Sequence, residues 1–187
     1  MRIVAGRFRG RALVAPQGAV TRPTSDRLRE SIFNILSHGS FPLENARVLD
    51  LFAGTGALGL EAISRGARFG LFVEEDANAR GAIRANIEAL GLTGATKLFR
   101  RDAAALGPMP PSAGGPFDLV FTDPPYGRDL VVPSLAGARQ GGWLAADAAF
   151  VVETASDDAF ETPEGFELVQ TRAYGDTTVR ILRLGLD

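Results

Sequence analysis

Between Ala46 and Asp123, short apolar runs alternate with segments of helical period, a pattern that admits few folds. ARVLDLF, RFGLFVE, TKLFRRD and FDLVFTD are apolar on both faces, as the buried strands of a parallel sheet are. ALGLEAISRG and DANARGAIRANIEALG carry helical spacing instead and close on Gly66 and Gly91. Strand and helix in repetition predict an α/β fold: a mostly parallel central sheet with helices on both faces. LVVPSLAGAR adds a weak helix and AAFVVET a fifth strand. FELVQTRAYGDTTVRILRL places two β-rich runs around Gly175-Asp176, the signal of a C-terminal antiparallel hairpin. The stretch 103–116, rich in Ala, Pro and Gly, reads as a surface loop.

The first 40 residues differ from the rest. RIVAGRFRGRALVAP has two β-prone pieces around Gly6 and Gly10, which predicts a hairpin. Leu28, Ile32, Ile35 and Leu36 then follow helical spacing, with Thr24 or Ser25 as N-cap and Gly39 as terminator. The net charge of −2 hides an asymmetry: this segment alone carries +5, and the remaining 147 residues carry −7. A basic arm on an acidic body suits a polyanionic partner docking at one end. The expected organisation is a basic hairpin-and-helix extension over 1–40 and one α/β domain over 41–187, monomeric.

Composition removes several classes. With no cysteine there are no disulfides, thiolate metal sites or thiol nucleophiles. The single histidine, His38, ends a helix before Gly39 and reads as a helix-end residue, so no metal is expected. No apolar run approaches the length that crosses a bilayer, and the basic N-terminus lacks the apolar core of a signal peptide. A cytoplasmic protein with no membrane partner is expected.

LDLFAGTGALG sets Gly54-x-Gly56-x-x-Gly59 between a strand and a helix, where nucleotide-binding turns occur. Tight turns of this kind also occur where nothing binds. Acids sharpen the reading: Asp50, Glu74, Asp102 and Asp123 end the first four strands, and in a parallel sheet those ends share one rim. Glu74, 20 positions past Gly54, suits a ribose hydroxyl, and Asp102 a purine ring or its amine. Asp50 beside the turn would repel a pyrophosphate and favour a cation. S-adenosylmethionine, with its sulfonium and ammonium and no phosphate, fits this set; the alternative is that individual acids only cap helices or lie in solvent.

FDLVFTDPPY runs a strand straight into an acid, two prolines and a tyrosine. The Asp123 carboxylate and the Pro124 carbonyl can accept from one amino group. Pro124 and Pro125 stiffen the backbone, and Tyr126 offers a face on which a flat ring can stack. VLDLFAGTGALGLEA, FVEEDANA, RRDAA and FDLVFTDPPY together resemble the class I S-adenosylmethionine-dependent methyltransferases of Rossmann-like fold that modify exocyclic amines. RIVAGRFRGRAL and RPTSDRLRESIFNIL narrow the resemblance to the RsmD family, which methylates the N2 amine of a guanine in 16S ribosomal RNA of the small subunit.

The resemblance covers the chain to about Gly127. It implies cofactor contacts at Asp50, Phe52, Gly54, Gly56, Glu74 and Asp102, and a base held by Asp123, Pro124, Pro125 and Tyr126. It also implies an rRNA partner, within a small subunit or its assembly intermediate. Phe8 stands where many relatives carry tryptophan. The arginine-rich arm would contact phosphate through Arg7, Arg9, Arg11 and Arg22. Adenine-N6 transfer to DNA or RNA shares the Asp-Pro-Pro-Tyr motif and remains the alternative. A nicotinamide oxidoreductase and a non-catalytic RNA-binding assembly factor are the readings from other classes. Trp143 is assigned to packing.

Overall fold

The computed structural model describes residues 1–18 and 24–185. Five strands run parallel: β1 (Arg47–Leu51), β2 (Phe69–Val73), β3 (Thr96–Phe99), β4 (Phe117–Thr122) and β5 (Leu144–Ala155). The C-terminal hairpin, β6 (Phe166–Tyr174) and β7 (Thr177–Leu184), joins antiparallel through β7 on β5. The sheet order is β3-β2-β1-β4-β5-β7-β6. Strand order reverses between β1 and β4, so a crevice opens outside their carboxyl ends, as the strand pattern predicts.

Alternation of side chains along the strands sorts the core into two layers. Val48, Phe72, Leu119, Phe121 and Val151 face α1 (Asp26–His38), α2 (Ala57–Ser64) and α3 (Ala77–Ala89). Leu49, Leu71, Val120, Phe150 and Val152 face α4 (Val131–Gln140) and the stretch 103–116. That stretch is more than the surface loop expected. Its two short 3-10 turns bury Ala103, Leu106 and Ala113, and the indole N–H of buried Trp143 donates to the Gly107 carbonyl at 2.8 Å. Small apolar residues at irregular spacing carry no period, which hid this covering role.

Helix α1 begins where the Ser25 hydroxyl accepts from the Leu28 amide, and ends as the Gly39 amide reaches the Ile35 carbonyl. It buries Ile32, Phe33 and Leu36, each worth roughly 1.5–3 kcal/mol, and Phe33 meets Phe121 of the sheet at 5.7 Å. Ile3 and Leu13 belong to the same buried cluster. The described residues among 1–40 therefore pack into the core of the α/β body.

The predicted N-terminal hairpin is a loop closed by one antiparallel bridge, Arg2 to Ala12. Its first leg runs down α2: the Val4 amide donates to the Glu61 carboxylate at 2.9 Å and the Arg7 amide to the Ser64 carbonyl at 2.9 Å. Its second leg climbs α3, where Val14 and the Asn86 side chain exchange two hydrogen bonds. Among the described residues no helix is long and apolar enough to cross a membrane.

Candidate active site

The loop after β1 turns sharply because Phe52, Gly54 and Gly56 all adopt positive φ, at 57°, 57° and 78°. For the non-glycine Phe52 this costs on the order of 1 kcal/mol, a strain located at the wall of the crevice. The glycines divide the work. A Cβ on Gly54 would enter open space, whereas one on Gly59 would lie 2.5 Å from the Phe72 ring and 3.1 Å from Asp50 Oδ2. Gly54 thus faces the crevice, and Gly56 and Gly59 let α2 seat against β2.

The four strand-end acids converge, with different duties. Asp50 is almost fully buried, and its Oδ2 accepts from the Gly59 amide at 3.0 Å. Burial above all, then the charges of Asp123 and Glu74, push its carboxyl well above the usual range. Glu74 Oε2 accepts from the Gly54 amide at 2.8 Å, and Oε1 accepts from the Asp76 amide at 3.0 Å. The carboxylate expected to meet a ribose therefore also braces the glycine turn. Asp102 accepts from the Ala104 amide at 2.9 Å and stays exposed.

A cavity of about 760 Å³ opens at the crevice, walled by Phe52, Gly54, Glu74, Asp102, Pro125 and Arg128. Asp50 and Gly56 lie behind that wall. The arm returns here as well, since Pro16, Gln17 and Gly18 complete the rim. A second cavity of about 310 Å³ lies on the α1 side, walled by Thr24, Arg27, Tyr126, Glu153, Tyr174 and Thr177. The Asp-Pro-Pro-Tyr segment joins the two. Pro124 is buried, Pro125 lines the first cavity, and Tyr126 lines the second with its hydroxyl 2.8 Å from that of Thr177.

Asp123 stands at this junction, half-buried, with Oδ2 accepting from the Thr24 hydroxyl at 3.3 Å. The same hydroxyl lies 3.3 Å from Glu153 Oε1, and the Asp123 and Glu153 carboxyls are themselves within hydrogen-bonding reach. Desolvation raises the Asp123 carboxyl to about 6, partly offset by the bonds from Thr24 and Glu153. Desolvation, then the Asp123 charge, raise Glu153 well above the ordinary range.

Glu153 and Thr24 are the functional candidates that the sequence reading missed. The signal for Glu153 was present: it is an acid near the end of the apolar run AAFVVET, the same pattern that singled out the other four strand ends. Thr24 was read only as a possible helix cap, a duty that falls to Ser25.

Arg7, Arg9 and Arg11 are not at the rim. The loop tip carrying Arg7 and Arg9 hangs on Ser64, the last residue of α2, and the Arg11 guanidinium donates to the carbonyl of Ala89, the last residue of α3, at 2.6 Å. Both helices begin at the rim, so the tip sits at the far end of the body. Arg22 lies outside the described residues.

The chain matches the family described as "Conserved hypothetical protein 95" over residues 1–183. It is 37% identical over 186 residues to YlbH of Bacillus subtilis, covering 98% of each chain. To ribosomal RNA small subunit methyltransferase D of Escherichia coli it is 34% identical over 182 residues, covering 97% of this chain and 88% of that one. The solved structure of Escherichia coli yhhF matches with a TM-score of 0.81 at 31% identity, covering 100% and 99% of the two chains. A solved Thermus thermophilus protein matches at 0.72 and 30% identity, covering 97% and 98%.

Proposed function

The chain belongs to the "Conserved hypothetical protein 95" family, and on that premise we propose that it is a class I, S-adenosylmethionine-dependent methyltransferase acting on the exocyclic N2 amine of a guanine in 16S ribosomal RNA. The observation that carries the reading is the Asp-Pro-Pro-Tyr segment, which forms a shared wall between a large acid-rimmed cavity and a smaller one flanked by two tyrosines.

The larger cavity suits the cofactor. It has the volume of a nucleoside-sized ligand, and Glu74, Glu75, Asp76 and Asp102 line it together with Arg101 and Arg128. Glu74 would take the ribose hydroxyls, Asp102 the adenine end, and Phe52 and Gly54 the closely approaching middle. When bound, S-adenosylmethionine supplies a methyl group on a positively charged sulfur. The remaining work is orientation by the protein.

In the smaller cavity Tyr126 and Tyr174 would flank the planar base, with the Arg27 side chain at the wall. The Asp123 carboxylate and the Pro124 carbonyl accept the two hydrogens of the amine, which turns its lone pair toward the neighbouring cavity. At neutral pH Asp123, with its carboxyl near 6, is ionised and ready to accept. After transfer it can take the surplus proton or pass it to water. A base reaching this pocket must leave its stack, and an RNA loop or single strand presents it at least cost.

The test is transfer of tritium from labelled S-adenosylmethionine to small-subunit RNA, offered naked and within an assembling subunit, followed by nucleoside analysis. Label in N2-methylguanine supports the reading. Label in N6-methyladenine, or none in RNA, overturns it. Asp123→Ala is expected to cut turnover by a factor of roughly 10²–10³ with little change in cofactor affinity. Near-normal turnover would remove Asp123 from its role.

A further inference from the structure

The face of β5 that carries Ala149 and Val151 is apolar and packed, yet Glu153 continues it, 97% buried, where an unpaired carboxylate is strongly disfavoured. Its neighbours are the Thr24 hydroxyl, at 3.3 Å from one oxygen and 3.5 Å from the other, and the Asp123 carboxyl. Thr24 has one proton to share among three carboxyl oxygens in reach, so two carboxylates here would leave acceptor facing acceptor. One proton between Glu153 and Asp123 removes that conflict.

We propose that Glu153 is a positioning residue: its carboxyl O–H donates to the Asp123 carboxylate and, with Thr24, fixes the direction in which Asp123 offers an oxygen to the substrate amine. The inference rests on the methyl-transfer reading for its consequence, but the bond itself exists in the free protein. The direction of the titration shifts agrees: burial and the Asp123 charge raise Glu153, and the bond to Glu153 lowers Asp123. The other titratable groups around Glu153 are Asp50 on β1 and, at the wall of the smaller cavity, Arg27, Tyr126, Tyr174 and Asp176.

Glu153→Leu keeps the volume and removes the donor. Glu153→Gln keeps an N–H donor. We expect Glu153→Leu to lower kcat by about 10- to 100-fold with an unchanged KM for S-adenosylmethionine, and Glu153→Gln to recover most of that loss. The acid limb of the rate profile should move to higher pH in the leucine variant only. A leucine variant within twofold of wild type, or a glutamine variant as impaired as the leucine one, overturns the proposal.

Infrared titration of the free protein, with Asp123→Asn to identify the Asp123 band, reads the same bond without substrate. The Asp123 midpoint should lie near 6 in wild type and Glu153→Gln, and higher in Glu153→Leu. If wild type transfers no methyl group, the functional reading fails while this titration still decides the bond. An Asp123 midpoint unmoved by Glu153→Leu overturns it.

Discussion

Asp123 answers to two opposing demands. In the proposed role of acceptor it must be ionised, but its desolvated place at the cavity junction raises its carboxyl to about 6. A raised folded value means that the native state holds the proton more tightly than the unfolded chain does. Stability tied to this group is therefore fully present below about pH 4 and is lost as pH rises through about 6. Activity runs the other way and should fall with an acid limb near pH 6 as Asp123 takes up its proton. Both follow from one titration, and Asp123→Asn separates them. The variant should lose turnover, yet gain stability over wild type by an amount that grows on the order of 3 kcal/mol between pH 4 and pH 6 and then levels off. Urea melts across that range check it, and a pH-independent difference would place the desolvation cost elsewhere.

The arm is the element whose nature was least visible in the sequence. Its basic residues, Gly6 and Gly10 predicted a separate hairpin, because charge and turn signals are local. What fixes it to the body is distant: Glu61 on α2, buried, receives the Val4 amide and lies 3.6 Å from Arg65 and 3.9 Å from buried Arg29. No spacing rule connects residues 57 positions apart. The strands and helices of the body were legible because each announces itself through its own period, and the strand-end acids through their place at its end. Thr24 was not, because its partners Asp123 and Glu153 come together only in the folded sheet. The arm's seating makes a sharp prediction at its tip. Gly6 has φ 84°, and a Cβ there would fall 1.9 Å from the Ser64 carbonyl oxygen. Gly6→Ala should lift the tip, break the bonds of the Arg7 and Phe8 amides to Ser64, and destabilise the protein by about 1–3 kcal/mol. Gly10→Ala, with open space around its Cβ, pays only for its φ of 83° and should cost less. Equal melting temperatures for the two variants would mean that the tip does not contribute through its contact with α2.

On the scale of the whole molecule, charge and chemistry are set apart. The carboxylates gather at the rim, while Arg7 and Arg9 lie exposed at the other end, separated from it by the length of α2, about 12 Å. An RNA that touched both would have to extend along the arm while delivering one base to the rim. Sequence alone gives phosphate to the basic arm and the base to the Asp-Pro-Pro-Tyr corner, but it carries no distance between the two. If the tip holds phosphate, as we propose, it does so remotely and should act on binding without touching the chemical step. Replacing Arg7 and Arg9 together with Gln should then raise KM for a long RNA, leave kcat unchanged, and reduce the slope of log affinity against log salt by roughly 1.5. A minimal stem-loop too short to reach the tip should show none of this, because its contacts are confined to the rim. The same salt slope for wild type and variant on the long RNA would leave the arginines as ordinary surface. An equal loss on both RNAs would show that the arm acts through the fold, since a remote phosphate contact cannot weaken a substrate that never reaches it.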